Sequence, residues 1–423
     1  MLYTQKVAAE LKQKRAALSG YQDRYRRHLD TYREALAALG AHYASANALK
    51  AVQEARRMHA ESAPSVGAHA TVEYDTWRQL SSHDMPVLPF GQSFTHHGEA
   101  RAWAERIRNV TTFAVDGSQL PPWRDASIPV ALVQVSLYEN PHQPPAPYIK
   151  DAIIELLTPD DLLVSEREAS DARAGAALTY STQVVHLRRF ELEVRTLVER
   201  MEHHARQRRE DAAPGSVVAF YDGSLIVSFA LALSPPYRTR YVEAARRLLR
   251  ASTEFRIPLV AYIDTSYARD IVTMLRGLDE PDALPEARGV HDALLWRGAL
   301  RWGDRTPAFL SARDDMHSMN YGEQADQIAF VYFQAAQDRP PARLEFPRWI
   351  LDAGLLDAVM DAVRAETIAG TGYPYPIEAA DAAAVISTYE REQFYRLFQD
   401  FAEQEGLAFS FSRKALSKSR RRV

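Results

Sequence analysis

Two aspartates stand at the ends of apolar runs in the same local motif. Residues 112–116 lead into Asp116-Gly117-Ser118, and residues 216–222 lead into Asp222-Gly223-Ser224. Runs of β-branched and aromatic residues before Gly are typical of a buried strand that ends in a Gly-assisted turn. A carboxylate at the mouth of a buried strand is costly unless a cation or a metal ion neutralises it. We therefore predict that Asp116 and Asp222 share one site.

The elements around these aspartates have an informative order. Strands predicted at 112–116, 128–138 and 148–156 are separated by turn residues, which indicates an antiparallel meander. A long helix at 171–209 follows, then strand 216–222, a helix at 238–251 and strand 259–263. This order predicts an α/β protein with a ribonuclease H-like mixed sheet flanked by helices on both faces.

That fold requires an acidic residue on the helix between the two aspartate motifs. Two candidates, Glu191 and Glu193, lie at the edges of one apolar stripe. The stripe consists of Leu187, Phe190, Val194, Leu197 and Met201. We take Glu191 as the third acid and keep Glu193 as the alternative. The structural alternative for Glu191 is an i,i+4 ion pair with Arg195 on a solvated helix face.

Composition excludes several kinds of site. The 423 residues contain no cysteine, which rules out disulfides, thiolate catalysis and cysteine-ligated zinc. With 51 basic and 55 acidic residues the formal net charge is -4, so nucleic-acid binding must come from local basic patches. We find neither a signal-peptide core nor an uncharged run of about 18–20 residues, and we expect a cytoplasmic protein with no membrane association.

The ordered set of motifs resembles the NurA family of DNA-end-processing nucleases. The resemblance covers roughly residues 110–400. It is carried by the two Asp-Gly-Ser motifs, the Arg-rich helix between them, the segments Asp292-Ala293-Leu294-Leu295 and Arg343-Leu344-Glu345-Phe346-Pro347, and the run from Gly372-Tyr373-Pro374-Tyr375 to Asp381.

The resemblance implies an activity and a set of partners. It implies a metal-dependent deoxyribonuclease that uses Mn²⁺ or Mg²⁺ in a two-ion site. The expected activity is 5′-to-3′ digestion of DNA, and single-strand endonuclease activity is a further expectation. The resemblance also implies a homodimer that resects double-strand break ends together with a HerA-type hexameric ATPase. The metal ligands and catalytic residues carry over to Asp116, Glu191, Asp222 and Asp381. Asp381 stands where the family often has histidine, and another oxygen ligand suits the same hard cations.

DNA contacts are predicted from basic and aromatic residues outside this ligand set. Arginines on and before the helix at 238–251 and in the C-terminal tail could neutralise phosphates. Two tyrosines of the Gly-Tyr-Pro-Tyr-Pro loop could stack on an unpaired base. The predicted contacts are Arg238, Arg240, Arg246, Arg247, Tyr373, Tyr375, Arg420 and Arg421.

The predicted domains are a helical appendage and linker at 1–95, a nuclease domain at 96–411 and a basic tail at 412–423. Gly20 and Gly40 divide the appendage into segments that could form a helical hairpin, and 278–342 is an insertion or an extension of the sheet. Two other functions stay open: a catalytically impaired DNA-binding adaptor and a helical assembly protein. The chain has no Gly-x-x-x-x-Gly-Lys-Ser/Thr motif, so an energy source for resection must come from a partner.

Overall fold

The structure is a computed structural model that describes residues 3–43, 71–72, 85–123, 126–164, 179–208, 213–278, 284–286, 289–311, 313, 316, 319–325 and 327–410. The chain forms two compact units. The first, here called the site unit, comprises Phe94–Tyr262, Met316–Gln324 and Phe346–Val423, and the second unit comprises Met1–Ser93, Ile263–Asp315 and Ala325–Glu345.

The strands, in chain order, are β1 (Thr71–Val72), β2 (Thr111–Leu120), β3 (Ala131–Asn140), β4 (Ile149–Leu157), β5 (Leu163–Val164), β6 (Thr179–Tyr180), β7 (Val217–Asp222), β8 (Leu259–Ile263), β9 (Phe309–Leu310), β10 (Ile328–Phe333) and β11 (Ala342–Pro347). The α-helices are α1 (Thr4–Gln13), α2 (Arg15–Tyr43), α3 (His97–Ala104), α4 (Pro159–Leu162), α5 (Thr182–Gln207), α6 (Pro235–Phe255), α7 (Asp270–Leu278), α8 (Asp292–Leu295), α9 (Trp349–Asp352), α10 (Leu356–Ala369), α11 (Tyr375–Ala384) and α12 (Thr388–Gln404).

The sheet of the site unit has the strand order β8-β7-β2-β3-β4. β2, β3 and β4 pair antiparallel, whereas β7 runs parallel to both β2 and β8. An antiparallel meander followed by parallel strands on the side of its first strand is the ribonuclease H-like arrangement. The predicted fold class is confirmed.

Two helices bring side chains to this sheet. α5 packs on β2 and β3 and also against α6, and α11 packs on β2 and β3. α5 begins after Ser181, whose side chain accepts a hydrogen bond from the backbone N–H of Gln183, and its 26 residues contain neither Gly nor Pro. α6 begins with Pro235 and Pro236, which suit the first helical turn because their missing N–H groups have no helical partner there.

The second unit has the strand order β1-β9-β10-β11, and β9 pairs antiparallel with both β1 and β10. Its core contains Tyr32 and Leu36 of α2 with Trp296, Phe309 and Phe330. α2 runs through Gly20 and Gly40, so neither glycine divides the helix as predicted, and residues 44–60 of the predicted hairpin lie outside the described residues. An isolated glycine costs a helix only about 1 kcal/mol, less than the burial of one large apolar side chain contributes.

Other element predictions differ in their bounds. The predicted helix at 171–209 starts at Thr182, and residues 165–178 lie outside the described part of the chain. The second unit contains residues 1–93 together with most of 278–342. The division into domains at 1–95, 96–411 and 412–423 remains a prediction. Among the described residues no helix is long and apolar enough to cross a membrane.

Candidate active site

Asp116 and Asp222 lie side by side at the ends of a parallel strand pair. The register of β2 with β7 pairs Val115 with Tyr221, and each aspartate is the next residue along its strand. Neighbouring strands are about 4.8 Å apart, so the two carboxylates belong to one small region of the sheet. The structure therefore brings these two predicted residues together.

The two Asp-Gly-Ser motifs have different backbones. β7 ends at Asp222, and Gly223 adopts φ +121°, a conformation that favours glycine. β2 instead continues through Gly117 and Ser118 to Leu120. The predicted Gly-assisted turn is confirmed after Asp222 and wrong after Asp116, where the glycine has another purpose.

Asp381, on α11, lies close enough to Asp116 to raise its pKa. Burial is the main cause that raises the pKa of Asp116 to about 6, against the backbone N–H of Gly117, which lowers it. Contact with Asp381 and the charge of Asp222 raise this pKa further. Three carboxylates from β2, β7 and α11 thus share one electrostatic environment.

Glu193, not Glu191, is the α5 glutamate that belongs to this group. The Glu193 side chain is 8% exposed, and its Oε1 accepts a hydrogen bond from Arg189 one helical turn earlier. Arg189 also donates to the carbonyl oxygen of Gly117 at 3.1 Å. Burial raises the pKa of Glu193 to about 7; Arg189 lowers it, and the charges of Asp116 and Asp222 raise it.

Glu191 faces α6 instead. It accepts two hydrogen bonds from Arg240, at 2.8 Å and 2.6 Å, and Arg188 lies 3.7 Å away. Residues two apart on a helix point about 200° apart, so Glu191 and Glu193 cannot face the same neighbour. Glu191 therefore does not join Asp116, Asp222 and Asp381.

Tyr373 completes the group. Its hydroxyl donates a hydrogen bond of 2.8 Å to Oδ1 of Asp222, and its ring packs edge-on against Tyr262 at 4.9 Å. The sequence predicted base stacking for Tyr373, but these contacts hold the ring among the residues of the carboxylate site. Tyr375 begins α11 with its ring edge-on to Tyr138 at 5.6 Å.

These carboxylates are not arranged as a closed metal cage. In the described part of the chain no set of three or more His, Asp or Glu side chains has the geometry to hold a metal ion. Arg189 and Tyr373 hydrogen-bond to two of the carboxylates, which gives those two side chains their present orientations. The donor set consists of oxygen atoms only, which suits hard divalent cations.

The predicted DNA-binding arginines fall into different environments. Arg238 donates to the carbonyl oxygens of Leu231 and Leu233, both at 3.1 Å, and so is committed to the turn before α6. Arg240 pairs with Glu191, and a guanidinium nitrogen of Arg246 lies close to Gly322. Arg247 is exposed on α6, whereas Arg420 and Arg421 lie outside the described residues.

Two segments that carried the resemblance form a buried ionic network in the second unit. Arg343, 1% exposed, donates to Asp270 at 3.0 Å and to Glu345 at 2.8 Å. Asp292 accepts from the backbone N–H groups of Ile271 and Val272 and thereby caps the start of α7. Burial raises the pKa of Asp292 to about 7, and the charge of Asp270 raises it further. We assign these residues to the stability of the second unit.

Comparison with known proteins gives a family match that covers more than half of the chain. The NurA domain matches residues 110–386. No curated protein matches the chain.

The solved structures that match this chain have low sequence identity to it and low TM-scores. A crystal structure of NurA with manganese is 10% identical with a TM-score of 0.39, over 69% of this chain and 89% of that chain. NurA bound to dAMP and manganese is 11% identical with a TM-score of 0.35, over 70% and 92%. The catalytic domain of human endonuclease V is 12% identical with a TM-score of 0.31, over 74% and 92%. Because these scores are low, the assignment rests on the domain match: the chain belongs to the NurA family of nucleases.

Proposed function

We propose that the chain is a metal-dependent deoxyribonuclease that hydrolyses phosphodiester bonds at the cluster of Asp116, Glu193, Asp222 and Asp381. The observation that carries this proposal is the shared electrostatics of side chains from four different elements. Burial and neighbouring charge raise the pKa of Asp116 to about 6 and that of Glu193 to about 7. Clustered carboxylates of this kind are stable in ionised form only beside a cation.

The donor chemistry of these residues suits a divalent metal ion. Four carboxylates offer enough oxygen atoms for Mn²⁺ or Mg²⁺, and the chain has no cysteine that would favour a softer metal. A bound divalent cation supplies Lewis-acid activation of the phosphodiester and of water, and two such ions are the usual number in nucleases. We therefore propose Asp116, Glu193, Asp222 and Asp381 as metal ligands, with Glu193 in the position predicted for Glu191.

Two further side chains prepare the carboxylates. The Tyr373 hydroxyl holds Asp222 in one orientation through a hydrogen bond at 2.8 Å. The Arg189 guanidinium donates a hydrogen bond to the almost fully buried Glu193 and lowers its pKa, against burial, which raises that pKa to about 7. Both residues fix the orientation of a carboxyl group before a cation binds, which lowers the cost of reorganisation on binding.

The finer features of the activity are also proposals. We propose 5′-to-3′ digestion of DNA ends, with single-strand endonuclease activity, as a homodimer in double-strand break resection. A HerA-type hexameric ATPase supplies the motor in this account, since the chain lacks a P-loop sequence of its own. The family assignment is the support for these features.

A catalytically impaired DNA-binding adaptor is the second candidate. It is motivated by Asp381, which stands where the family often has histidine. The contact between Asp381 and Asp116 favours the enzyme, because an oxygen donor is present at that position. An adaptor would bind DNA ends and leave them intact in Mn²⁺.

The experiment is digestion of end-labelled single- and double-stranded DNA by the full chain in Mn²⁺, Mg²⁺ or EDTA. We expect cleavage that requires the metal and disappears in Asp222→Ala. The label position, 5′ or 3′, reports the polarity. DNA that stays intact with wild-type protein in either metal, with and without a HerA-type ATPase, would leave the adaptor as the better account.

A further inference from the structure

Helix α5 carries a second charged face that the carboxylate cluster does not use. Arg188, Glu191 and Arg195 are spaced i, i+3, i+7 and so form one stripe along the helix. At about 100° per residue this stripe points away from Arg189 and Glu193, which face β2. It faces α6 instead, as the pair between Glu191 and Arg240 shows.

A groove of about 380 Å³ lies along this stripe, between α5, α6 and β4. Its charged lining consists of five arginines against three glutamates, so it is net positive in a chain whose formal net charge is -4. None of the residues that line it is aromatic. The arginines are Arg188, Arg195, Arg240, Arg247 and Arg250.

The positive charge of this groove is only partly neutralised. Arg240 pairs with Glu191, and Arg195 lies 3.8 Å from Glu155. Among the described residues Arg247 and Arg250, both exposed, have no carboxylate within ion-pair distance. The Nε atom of Arg188 is buried and has no hydrogen-bond partner there.

We propose that this groove binds the sugar–phosphate backbone of a nucleic-acid strand at a distance from the bond that is cut. The inference rests on the proposed function, since it takes the substrate to be DNA. Guanidinium groups match phosphate geometry, and a groove without aromatic rings offers no platform for base stacking, so recognition here is independent of sequence. Because the groove and the carboxylates lie on opposite sides of α5, the groove anchors DNA outside the cleavage site.

The test is equilibrium binding of a fluorescein-labelled oligodeoxythymidylate to the full chain in EDTA, by anisotropy over a series of NaCl concentrations. The variant is Arg247→Glu/Arg250→Glu. The matched control is Arg101→Glu/Arg396→Glu, on α3 and α12, which changes two exposed arginines and the net charge by the same amount. A second groove variant, Arg247→Gln/Arg250→Gln, replaces both arginines with uncharged residues. It separates the loss of attraction to phosphate from the repulsion that the glutamates add.

We expect the groove variant to bind at least about 10-fold more weakly than the control at moderate salt. Losing two phosphate contacts to a single strand should make the slope of log K against log[salt] shallower by about 1.4. The Gln pair should show the same loss of slope, and all variants should melt at the wild-type temperature.

Equal affinity and slope for the groove variant and the control would overturn the proposal. The proposal would also be overturned if inorganic phosphate displaced the oligonucleotide completely at a concentration that saturates a site for one phosphate. A groove that binds a sugar–phosphate backbone contacts several linked phosphates, so single phosphate ions should compete poorly. Binding in EDTA does not depend on catalysis. Suppose that the wild-type protein binds the oligonucleotide through Arg247 and Arg250 but never cleaves DNA. That result would refute the proposed nuclease activity and still support the proposed DNA-binding groove.

Discussion

The carboxylate of Glu193 fills the space into which residue 117 would project a side chain. A Cβ atom on Gly117 would lie 2.4 Å from Oε1 of Glu193 and 2.9 Å from Cγ of Arg189. Gly117 therefore lets α5 approach β2 closely enough for Glu193 to lie near Asp116 and Asp222. The glycine after Asp222 has a different purpose, because its φ of +121° makes a turn.

Gly117→Ala should disable the cluster and leave the fold intact. Position 117 needs no unusual backbone conformation, so the added methyl group acts by displacing Glu193 and Arg189. A shift of about 1 Å in a catalytic group can cost about 100-fold in rate. We expect at least that loss in Mn²⁺-dependent DNA cleavage, measured on end-labelled DNA.

The matched control is Gly20→Ala in α2, where a Cβ atom would meet only an Arg24 nitrogen at 3.5 Å. It should keep wild-type cleavage and be slightly more stable, since alanine favours helices by about 1 kcal/mol over glycine. Wild-type cleavage by Gly117→Ala would show that Glu193 does not belong to the site.

Glu193→Gln and Glu191→Gln should separate the two candidate ligands. Replacing Glu193 removes one carboxylate from the cluster, and we expect Mn²⁺ affinity by calorimetry to fall at least about 10-fold. Glu191 faces Arg240, so its replacement should leave Mn²⁺ affinity at the wild-type level. The reverse pattern would restore the assignment that the sequence favoured.

Sequence patterns located the aspartates and the fold because each depends on a local signal. An apolar run that ends in Asp-Gly-Ser shows where a strand presents a carboxylate, and the order of strands and helices limits the topology. The choice between Glu191 and Glu193 depends instead on which face of α5 meets the sheet and which meets α6. Both glutamates lie at the edges of the same apolar stripe, so the stripe alone did not distinguish them.

One signal for Glu193 was present in the sequence. Arg189 precedes it by four residues, and buried carboxylates usually have a cationic partner. The alternative pair, Glu191 with Arg195, has the same spacing, but the structure pairs Arg195 with Glu155 of β4. Distant partners of this kind follow from tertiary packing, which a local pattern does not contain.

The buried network of the second unit makes a prediction about stability. Arg343→Met removes the arginine that donates to Glu345 and one of the two arginines that pair with Asp270, the other being Arg313. Breaking buried ion pairs of this kind typically costs about 3–5 kcal/mol. Arg339→Met, at an exposed pair with Asp264 at 3.8 Å, should cost no more than about 1 kcal/mol. Urea denaturation measures both free energies of unfolding, and equal values would contradict the structural role of Arg343.

Acid should weaken the site unit through Glu139 on β3. Burial raises the pKa of Glu139, but hydrogen bonds from His204 and Arg200 outweigh it, and the pKa falls from 4.5 to about 2. Because its pKa is lowered on folding, Glu139 contributes about 3 kcal/mol to the free energy of unfolding. This contribution is fully present above about pH 4.5 and is lost as the pH falls towards 2.

The check is the free energy of unfolding of wild type and Glu139→Gln between pH 3 and pH 7. Wild type should be the more stable at neutral pH, because glutamine leaves Arg200 without its carboxylate, and the difference should shrink in acid. A difference that does not change with pH would show that the Glu139 carboxylate gains nothing from these partners.

The most direct test of the central claim is the anomalous diffraction signal of Mn²⁺ in crystals of the full chain. We expect a manganese peak beside Asp116 and Asp222, with oxygen atoms of Glu193 and Asp381 as further ligands, and no such peak in Asp116→Asn. Absence of a peak there in wild-type crystals at saturating Mn²⁺, or a peak held by Glu191, would contradict the assigned site.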